Sequence, residues 1–351
     1  MKALILIGGL GSRLRPLTCY KPKPLLPIAN KPFLEYQFQL LRKHGIKEVI
    51  LCVAYMSHEF ERYFGTGKKW GLKIRYVHEK EPLGTGGAIK NAAKYIDEPV
   101  VIFNGDILTD LNITAMMRFH KQNKSFITIA LSRVKDPTHF GLVETEKSGK
   151  IQSFLEKPSW DEVTCNTINA GIYVFDPKAL DFIPSKVSFS VERGLFPNLL
   201  SRKYPLYGFV SRGYWLDIGT LDKYLQANHD LLTGTINLKL EGKRLKPNLI
   251  VGKNLKFGKH IEIKGKIICG DNVKIADFVQ LQGNVCIGNN VTIGTGSIIS
   301  DSVILNGTRI EEGVRIEHSL LGENCIIEAN AHLSADTTLG NNTIIRKFSK
   351  L

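Results

Sequence analysis

Glycines and cations shortly after an apolar run are the first residues of this chain whose types and spacing could do chemistry. Gly8-Gly9-Leu10-Gly11-Ser12-Arg13 follows Lys2 to Ile7, which reads as a strand. Glycines let the main chain turn sharply and approach a ligand closely, so successive amide N–H groups can converge on phosphate oxygens. Arg13 adds a fork-shaped cation suited to them. The loop lacks the G-K-[ST] of a Walker P-loop and the last glycine of the dinucleotide fingerprint. Alone, it reads equally well as a tight turn with a solvated arginine. Lys23, ten residues beyond Arg13 in the run Lys21-Pro22-Lys23-Pro24, stands between two prolines that stiffen its attachment. Asp106 stands just past Val100 to Phe103, at the carboxyl end of an expected strand, where ligands sit in open α/β sheets. Asp217, taken alone, reads as a turn or N-cap aspartate.

Such residues need a frame, and the first part of the chain supplies one. Short apolar runs (Lys2 to Ile7, Val49 to Ala54, Leu72 to Val77, Val100 to Phe103) alternate with helical patterns at Phe33 to His44, His58 to Phe64 and Gly87 to Tyr95. Phe33, Leu34, Phe38 and Leu41 recur at helical spacing. This alternation predicts an α/β domain with a Rossmann-like, mainly parallel sheet and helices on both faces. Strands at Thr128 to Val134, Gly141 to Thr145, Ile168 to Phe175 and Leu206 to Val210 extend it on the substrate side, and a helix at Leu221 to Leu232 closes it.

The division expected is 1–232 for the α/β domain, 233–248 for a linker containing Gly234, Gly242 and Pro247, and 249–351 for a repeat domain. In the last, steps of six from Val251 reach Phe257, Ile263, Cys269, Ile275, Leu281, Ile287, Ile293, Ile299 and Leu305, all apolar. Five-residue steps to Ile310 and from Ile316 to Leu321 interrupt the count before Ile327, Leu333, Leu339 and Ile345. A period of six predicts a hexapeptide β-helix with one inward side chain per rung. Solenoid ends and flanks of this kind also lead us to expect a homo-oligomer.

The chain of 351 residues carries a formal charge of +14, which favours anionic partners of any class. Its basic residues form no run of five and no zinc-finger or RNA-binding signature, so nucleic acid is not expected. Apolar runs are strand-length and the N-terminus shows no secretory pattern, so neither a membrane partner nor export is expected and the cytoplasm is the anticipated location. Six scattered cysteines suit reduced thiols.

The loop and the Lys-Pro segment together closely resemble the signature of the nucleoside-diphosphate-sugar pyrophosphorylases, or sugar-1-phosphate nucleotidyltransferases. These open roughly G-G-x-G-T-R-L-x-P-L-T followed by P-K-P; here Ser12 replaces the usual threonine and Ile7 a common alanine. The resemblance continues in order through Glu81-Pro82-Leu83-Gly84-Thr85-Gly86-Gly87, Asn104-Gly105-Asp106, Phe154-Leu155-Glu156-Lys157-Pro158, Asn169-Ala170-Gly171 and Trp215-Leu216-Asp217-Ile218-Gly219-Thr220. In overall pattern it is similar to the mannose-1-phosphate guanylyltransferases that end in a left-handed parallel β-helix.

The resemblance implies attack by a sugar 1-phosphate on the α-phosphorus of a nucleoside triphosphate, with GTP and mannose 1-phosphate as the expected pair. Thymidylyl or uridylyl transfer to glucose 1-phosphate is the alternative. It implies nucleotide contacts from Gly8, Gly9, Gly11, Ser12, Arg13, Lys23, Gly84, Thr85 and Asp106, and sugar-phosphate contacts from Glu156, Lys157, Asn169 and Gly171. Arg13, Lys23 and Lys157 become the catalytic cations, and Asp106 and Asp217 the carboxylates for Mg²⁺. The stretch holding Glu192 borders the sugar pocket in the family, but Glu192 and Arg193 read more readily as a solvated helix face; Trp215 and Tyr214 fit a wall of the sugar side and aromatic packing equally well. Two rivals come from other classes: a hexapeptide acyltransferase using His260, His318 or His332, and a non-catalytic subunit that senses a nucleotide sugar. Turnover of acetyl-coenzyme A would favour the first, and product binding without turnover the second.

Overall fold

A computed structural model describes residues 1–351. The chain divides into two compact units that do not follow its order. One comprises Met1–Gly9 and Tyr36–Trp215, the other Leu10–Glu35 and Leu216–Leu351.

The first unit is built on nine strands: β1 (Lys2–Ile7), β2 (Glu48–Val53), β3 (Lys73–His78), β4 (Val100–Asn104), β5 (Ile127–Arg133), β6 (Gly141–Thr145), β7 (Ile151–Glu156), β8 (Thr167–Phe175) and β9 (Leu206–Val210). Their order is β7-β6-β8-β4-β1-β2-β3, with β5 beside β8 and β9 beside β5. The centre, β4-β1-β2-β3, is parallel, and β8, β6 and β7 extend it antiparallel. The sheet is therefore a mixed α/β sheet with the expected parallel heart. Ala3, Leu4, Ile5, Val49, Val101 and Ile102 are fully buried, which is why these strands read as continuous apolar runs.

The helices include α1 (Phe33–Lys43), α2 (Ser57–Phe64), α3 (Gly84–Asn91) and α4 (Ile113–Gln122). Helix α3 begins three residues before the expected Gly87 and ends before Tyr95. Helix α4 and strand β7 were not anticipated. The signal for α4 is nevertheless present: Asn112 accepts from Ala115 N as N-cap, and Ile113, Met116, Met117 and His120 form one buried stripe. No helix is long and apolar enough to cross a membrane.

In the second unit, helix Leu221–Thr233 starts at the Thr220 cap and stops at Gly234, whose φ of 79° is the left-handed terminator favoured by glycine. The tail beyond is a β-helix. Its coils pair in parallel at a spacing of eighteen residues, as in Leu249↔Ile267 and Cys269↔Ile287, and of seventeen further on, as in Ile293↔Ile310. Strands Glu262–Cys269 and Gln280–Ile287 each run through a corner at Gly265 and Gly283. A Cβ at Gly265 would fall 1.9 Å from the Gly283 carbonyl oxygen, so no side chain fits between these coils.

The inward stripe differs from the sequence count in two places. Ile304, and not Leu305, joins the core and pairs with Ile287, so the five-residue step lies between Ile299 and Ile304. Leu305 is also buried, but it follows the short strand Val303–Ile304 and lies outside that core. Phe257 is 39% exposed, because its strand belongs to the first coil and is paired on one side alone.

Candidate functional site

Strands β1 and β4 run side by side, from Ala3↔Val101 to Leu6↔Asn104. Gly105 N then donates to Leu6 O at 2.9 Å, and a Cβ there would come within 2.5 Å of that oxygen. Only glycine lets the Asn104–Asp106 turn close this tightly on β1. Gly8 and Gly9, following β1, and Asp106, following β4, consequently leave one edge of the sheet together. Strands β2 and β3 lie on one side of β1 and β4 on the other, which makes this edge a topological switch point, the usual ligand crevice of such sheets.

Gln37 of α1 braces that edge. It is 3% exposed, and its Nε2 donates to the carbonyls of Asn104 at 3.1 Å and Ile107 at 2.9 Å, on either side of Gly105 and Asp106. Its role was not read from the sequence. The available signal is a polar residue set on the apolar stripe of Phe33, Leu34, Phe38 and Leu41. Glu79 is a second buried polar residue at this edge. Its Oε2 accepts from Leu83 N at 3.0 Å, and burial raises its carboxyl above the ordinary range.

The antiparallel side gathers the expected sugar residues. Asn169 Oδ1 accepts from Gly171 N at 3.0 Å, and Asn169 Nδ2 donates to Tyr173 Oη at 3.0 Å. The β8–β5 register shifts between Asn169 and Tyr173, with Gly171 at φ 69° in the bulge. A Cβ on Gly171 would stand 2.8 Å from Asn104 Nδ2, so this glycine brings the bulge against the Asn104 turn. Asn104 Oδ1 itself is buried without a hydrogen-bond partner.

Tyr173 is fully buried, and its hydroxyl reaches Glu192 Oε1 at 3.3 Å. Glu192 Oε2 also accepts from Ser190 Oγ at 2.6 Å and from Thr85 Oγ1 at 2.8 Å. Glu192 is therefore no solvated face. It is half-buried at the start of Val191–Leu195, a π-helical turn capped by Ser190, while Arg193 is exposed as expected. Thr85, expected at the nucleotide, thus shares one network with Asn169, expected at the sugar. Gly84 is explained by packing: its φ is 68°, and a Cβ there would meet the Phe189 carbonyl at 2.8 Å.

Glu156 ends β7, and its carboxylate overlies Gly141, where a Cβ would be 2.9 Å from Oε2. Its pKa is raised first by desolvation, then by the Glu192 charge, against the opposing pull of Lys157 and Arg193. Lys157 follows at a positive φ of 53°, with its N–H on Phe140 O at 3.0 Å. Trp215 donates Nε1–H to Ala170 O at 2.8 Å and meets Phe140 edge to face.

Within the second unit lie Gly11, Ser12, Arg13, Lys23 and Asp217. Gly11 has φ 63° and packs against Thr18 and Lys23, where an added Cβ would sit 3.1 and 3.2 Å away. Arg13, in the turn Ser12–Leu14, is exposed, and its guanidinium and the Asp217 carboxylate both border Gly219: a Cβ on Gly219 would lie 3.0 Å from Arg13 Nη2 and 3.3 Å from Asp217 Oδ1. Asp106 and Asp217 each offer the carboxylate oxygen that a hard divalent ion prefers. No group of three or more His, Cys, Asp or Glu gathers to hold an ion without further ligands. In the tail, His260 stacks on Phe278, and His318 pairs with Asp336 at 3.0 Å.

A family model described as nucleotidyl transferase matches residues 2–234, and one described as the GMPPB C-terminal domain matches residues 279–349. A mannose-1-phosphate guanylyltransferase of Mycobacterium tuberculosis is 42% identical over 234 residues, covering 66% of this chain and 65% of that protein. A UTP–glucose-1-phosphate uridylyltransferase of Synechocystis sp. is 33% identical over 325 residues, covering 88% and 84%. Among solved structures, HddC from Yersinia pseudotuberculosis aligns at 30% identity with a TM-score of 0.57, covering 66% of this chain and 99% of that one. The same protein complexed with GMP-PN aligns with a TM-score of 0.56. The chain thus spans a little under two thirds of the length of the guanylyltransferase it matches.

Proposed function

Because the chain belongs to the nucleotidyl transferase family, we propose that it transfers a nucleoside monophosphate from a nucleoside triphosphate to a sugar 1-phosphate, releasing pyrophosphate. The observation that carries this reading is the switch-point edge, where Gly8-Gly9 and the braced Asp106 turn leave adjacent strands beside the Asn169–Glu192 network. GTP and mannose 1-phosphate are the proposed pair, since the relative at 42% identity is named for that sugar and base. The uridylyltransferase relative keeps UTP with glucose 1-phosphate as the alternative. In this reading residues 1–232 carry the chemistry, 233–248 connect, and 249–351 form the scaffold.

Both reactants are anions, so positioning and charge neutralisation are the protein's main tasks, with no covalent intermediate required. An oxygen of the sugar phosphate attacks the α-phosphorus, and the bond from that phosphorus to the bridging β-phosphate oxygen breaks. The main-chain amides after Gly8 and the guanidinium of Arg13 would neutralise the departing phosphates. Lys23 would meet the α-phosphate, where charge develops. Lys157 would hold the sugar phosphate, while Glu156 and Asn169 accept from and donate to sugar hydroxyls. Glu192 would orient Asn169 through Tyr173. Asp106 and Asp217 would hold a Mg²⁺ ion, which when bound supplies charge neutralisation at the nucleotide phosphates.

The test is a matrix of ATP, GTP, UTP and dTTP against mannose, glucose and N-acetylglucosamine 1-phosphates with Mg²⁺, read as pyrophosphate release. GTP with mannose 1-phosphate gives the highest rate if the reading holds. A wide margin for another pair moves the substrate assignment, and no release with any pair refutes the reaction.

A further inference from the structure

One corner of the β-helix is tied from coil to coil by short polar side chains. Asp271 Oδ1 accepts from Lys253 N at 2.7 Å, Asn289 Oδ1 from Asp271 N at 2.7 Å, and Asn306 Oδ1 from Asn289 N at 2.8 Å. Further along, Asn341 Oδ1 accepts from Glu323 N at 2.9 Å. Between Asn306 and Asn341 the ladder position is held by a glutamate, one methylene longer. Its carboxylate turns to Lys21 Nζ at 2.6 Å and also accepts from Asn306 Nδ2 at 3.4 Å. The Lys21 and Glu323 side chains are 29% and 20% exposed, so this ion pair is better shielded than an ordinary surface pair.

Other ties hold the same segment. Asn30 Nδ2 donates to Ile287 O at 2.8 Å, Ala29 N to Asn228 Oδ1 at 2.8 Å, and Tyr224 Oη to Pro27 O. Pro16 abuts the rung at Gly340, where a Cβ would stand 3.1 Å away. The Lys21–Glu323 pair lies nearest the expected chemistry, because the single residue Pro22 separates Lys21 from Lys23. Pro22 fixes its own φ at −66°, and Pro24 restricts Lys23 from the other side. The turn is then closed by Leu25 N on Pro22 O and Leu26 N on Lys23 O. A restraint at position 21 therefore acts on position 23 through one proline and a hydrogen-bonded turn.

We propose that Glu323 is a positioning residue for Lys23, and that the β-helix thereby takes part in nucleotidyl transfer through the segment it anchors. The proposal rests on the reaction proposed above. It explains why a glutamate stands where an asparagine would continue the ladder.

Glu323→Asn is the informative variant, because it restores the ladder residue while removing the partner of Lys21. Its thermal midpoint should match or exceed that of the wild type, whereas kcat falls on the order of tenfold with KM for the sugar phosphate unchanged. Amide exchange in residues 15–26 should quicken. The exchanged pair Lys21→Glu with Glu323→Lys should recover most of the lost kcat and protection. Wild-type turnover and exchange in Glu323→Asn would overturn the proposal, as would a loss that follows a lowered midpoint and is not recovered in the exchanged pair. If the wild type releases pyrophosphate with no substrate pair, the reaction is refuted, and the exchange measurement decides the positioning claim by itself.

Discussion

Both units stack parallel strands, but their strand ends differ in kind. In the β-helix each coil repeats the last: Asn254, Asn272 and Asn290 occupy successive left-handed corners, with Nδ2 of each of the first two on Oδ1 of the next. At the carboxyl edge of the α/β sheet the turns are unlike. One carries Gly8-Gly9, another the Gln37-braced Asp106, and a third the bulge at Gly171. A repeat presents the same few groups at every level, which suits a scaffold, whereas a reactive site needs different groups converging on one place. Chemistry is accordingly sought where periodicity stops, and the tail's tie to the lysine segment also occurs where its ladder changes residue.

The sharpest way to break this comparison is to remove groups from the irregular edge. Asp106→Asn should lower kcat by about 100-fold or more while nucleotide still binds and the thermal midpoint stays near the wild type, as measured by pyrophosphate release and calorimetry. Unchanged turnover would return Asp106 to an ordinary turn aspartate. Gln37→Leu should follow with a loss on the order of tenfold. It should also lose about 2 kcal/mol of stability in denaturant unfolding, because the Asn104 and Ile107 carbonyls lose their buried donor.

A substitution in the periodic region should do the reverse. Asn272→Ala removes a rung of the ladder and places alanine at φ 58°, for about 1–2 kcal/mol of stability, yet kcat per folded molecule should not change. A fall in kcat would show that the repeat has catalytic demands of its own.

The smallest effect concerns pH. Glu156 is raised by burial and by Glu192, so its folded form holds a proton at pH values where an unfolded glutamate has lost it. The resulting stability contribution is present below the unfolded pKa and is lost as pH rises through the folded pKa. For function the ionised form is the one that accepts from a sugar hydroxyl. Glu192→Gln removes the like charge, so the acid limb of kcat/KM for the sugar phosphate should move to lower pH. A limb that stays in place would separate Glu156 from sugar recognition.

Much of this organisation was legible in the sequence for local reasons. Strands buried on both faces show as the apolar runs around Ile5 and Val101, and coil stacking shows as a period of six. The motif residues announce themselves by being unusual in place, as Lys23 does between prolines. Partnerships made across long stretches of chain leave no such mark. Thr85 and Glu192 meet across 107 residues, and Lys21 and Glu323 across 302. Glu192 reads as a solvated helical residue because it stands beside Arg193 in a helix-like stretch, while two of the groups that bind it arrive from β8 and α3. The slip near Ile304 was displaced by one step because Leu305 is equally apolar, and only the coil pairing distinguishes the two.

Incubation with GTP and mannose 1-phosphate labelled with heavy oxygen throughout its phosphate, followed by mass spectrometry of the products, tests the central claim most directly. If a sugar-phosphate oxygen attacks the α-phosphorus, every labelled oxygen ends in GDP-mannose and the pyrophosphate is unlabelled. Label in the pyrophosphate, or labelled inorganic phosphate with no nucleotide sugar, would contradict it.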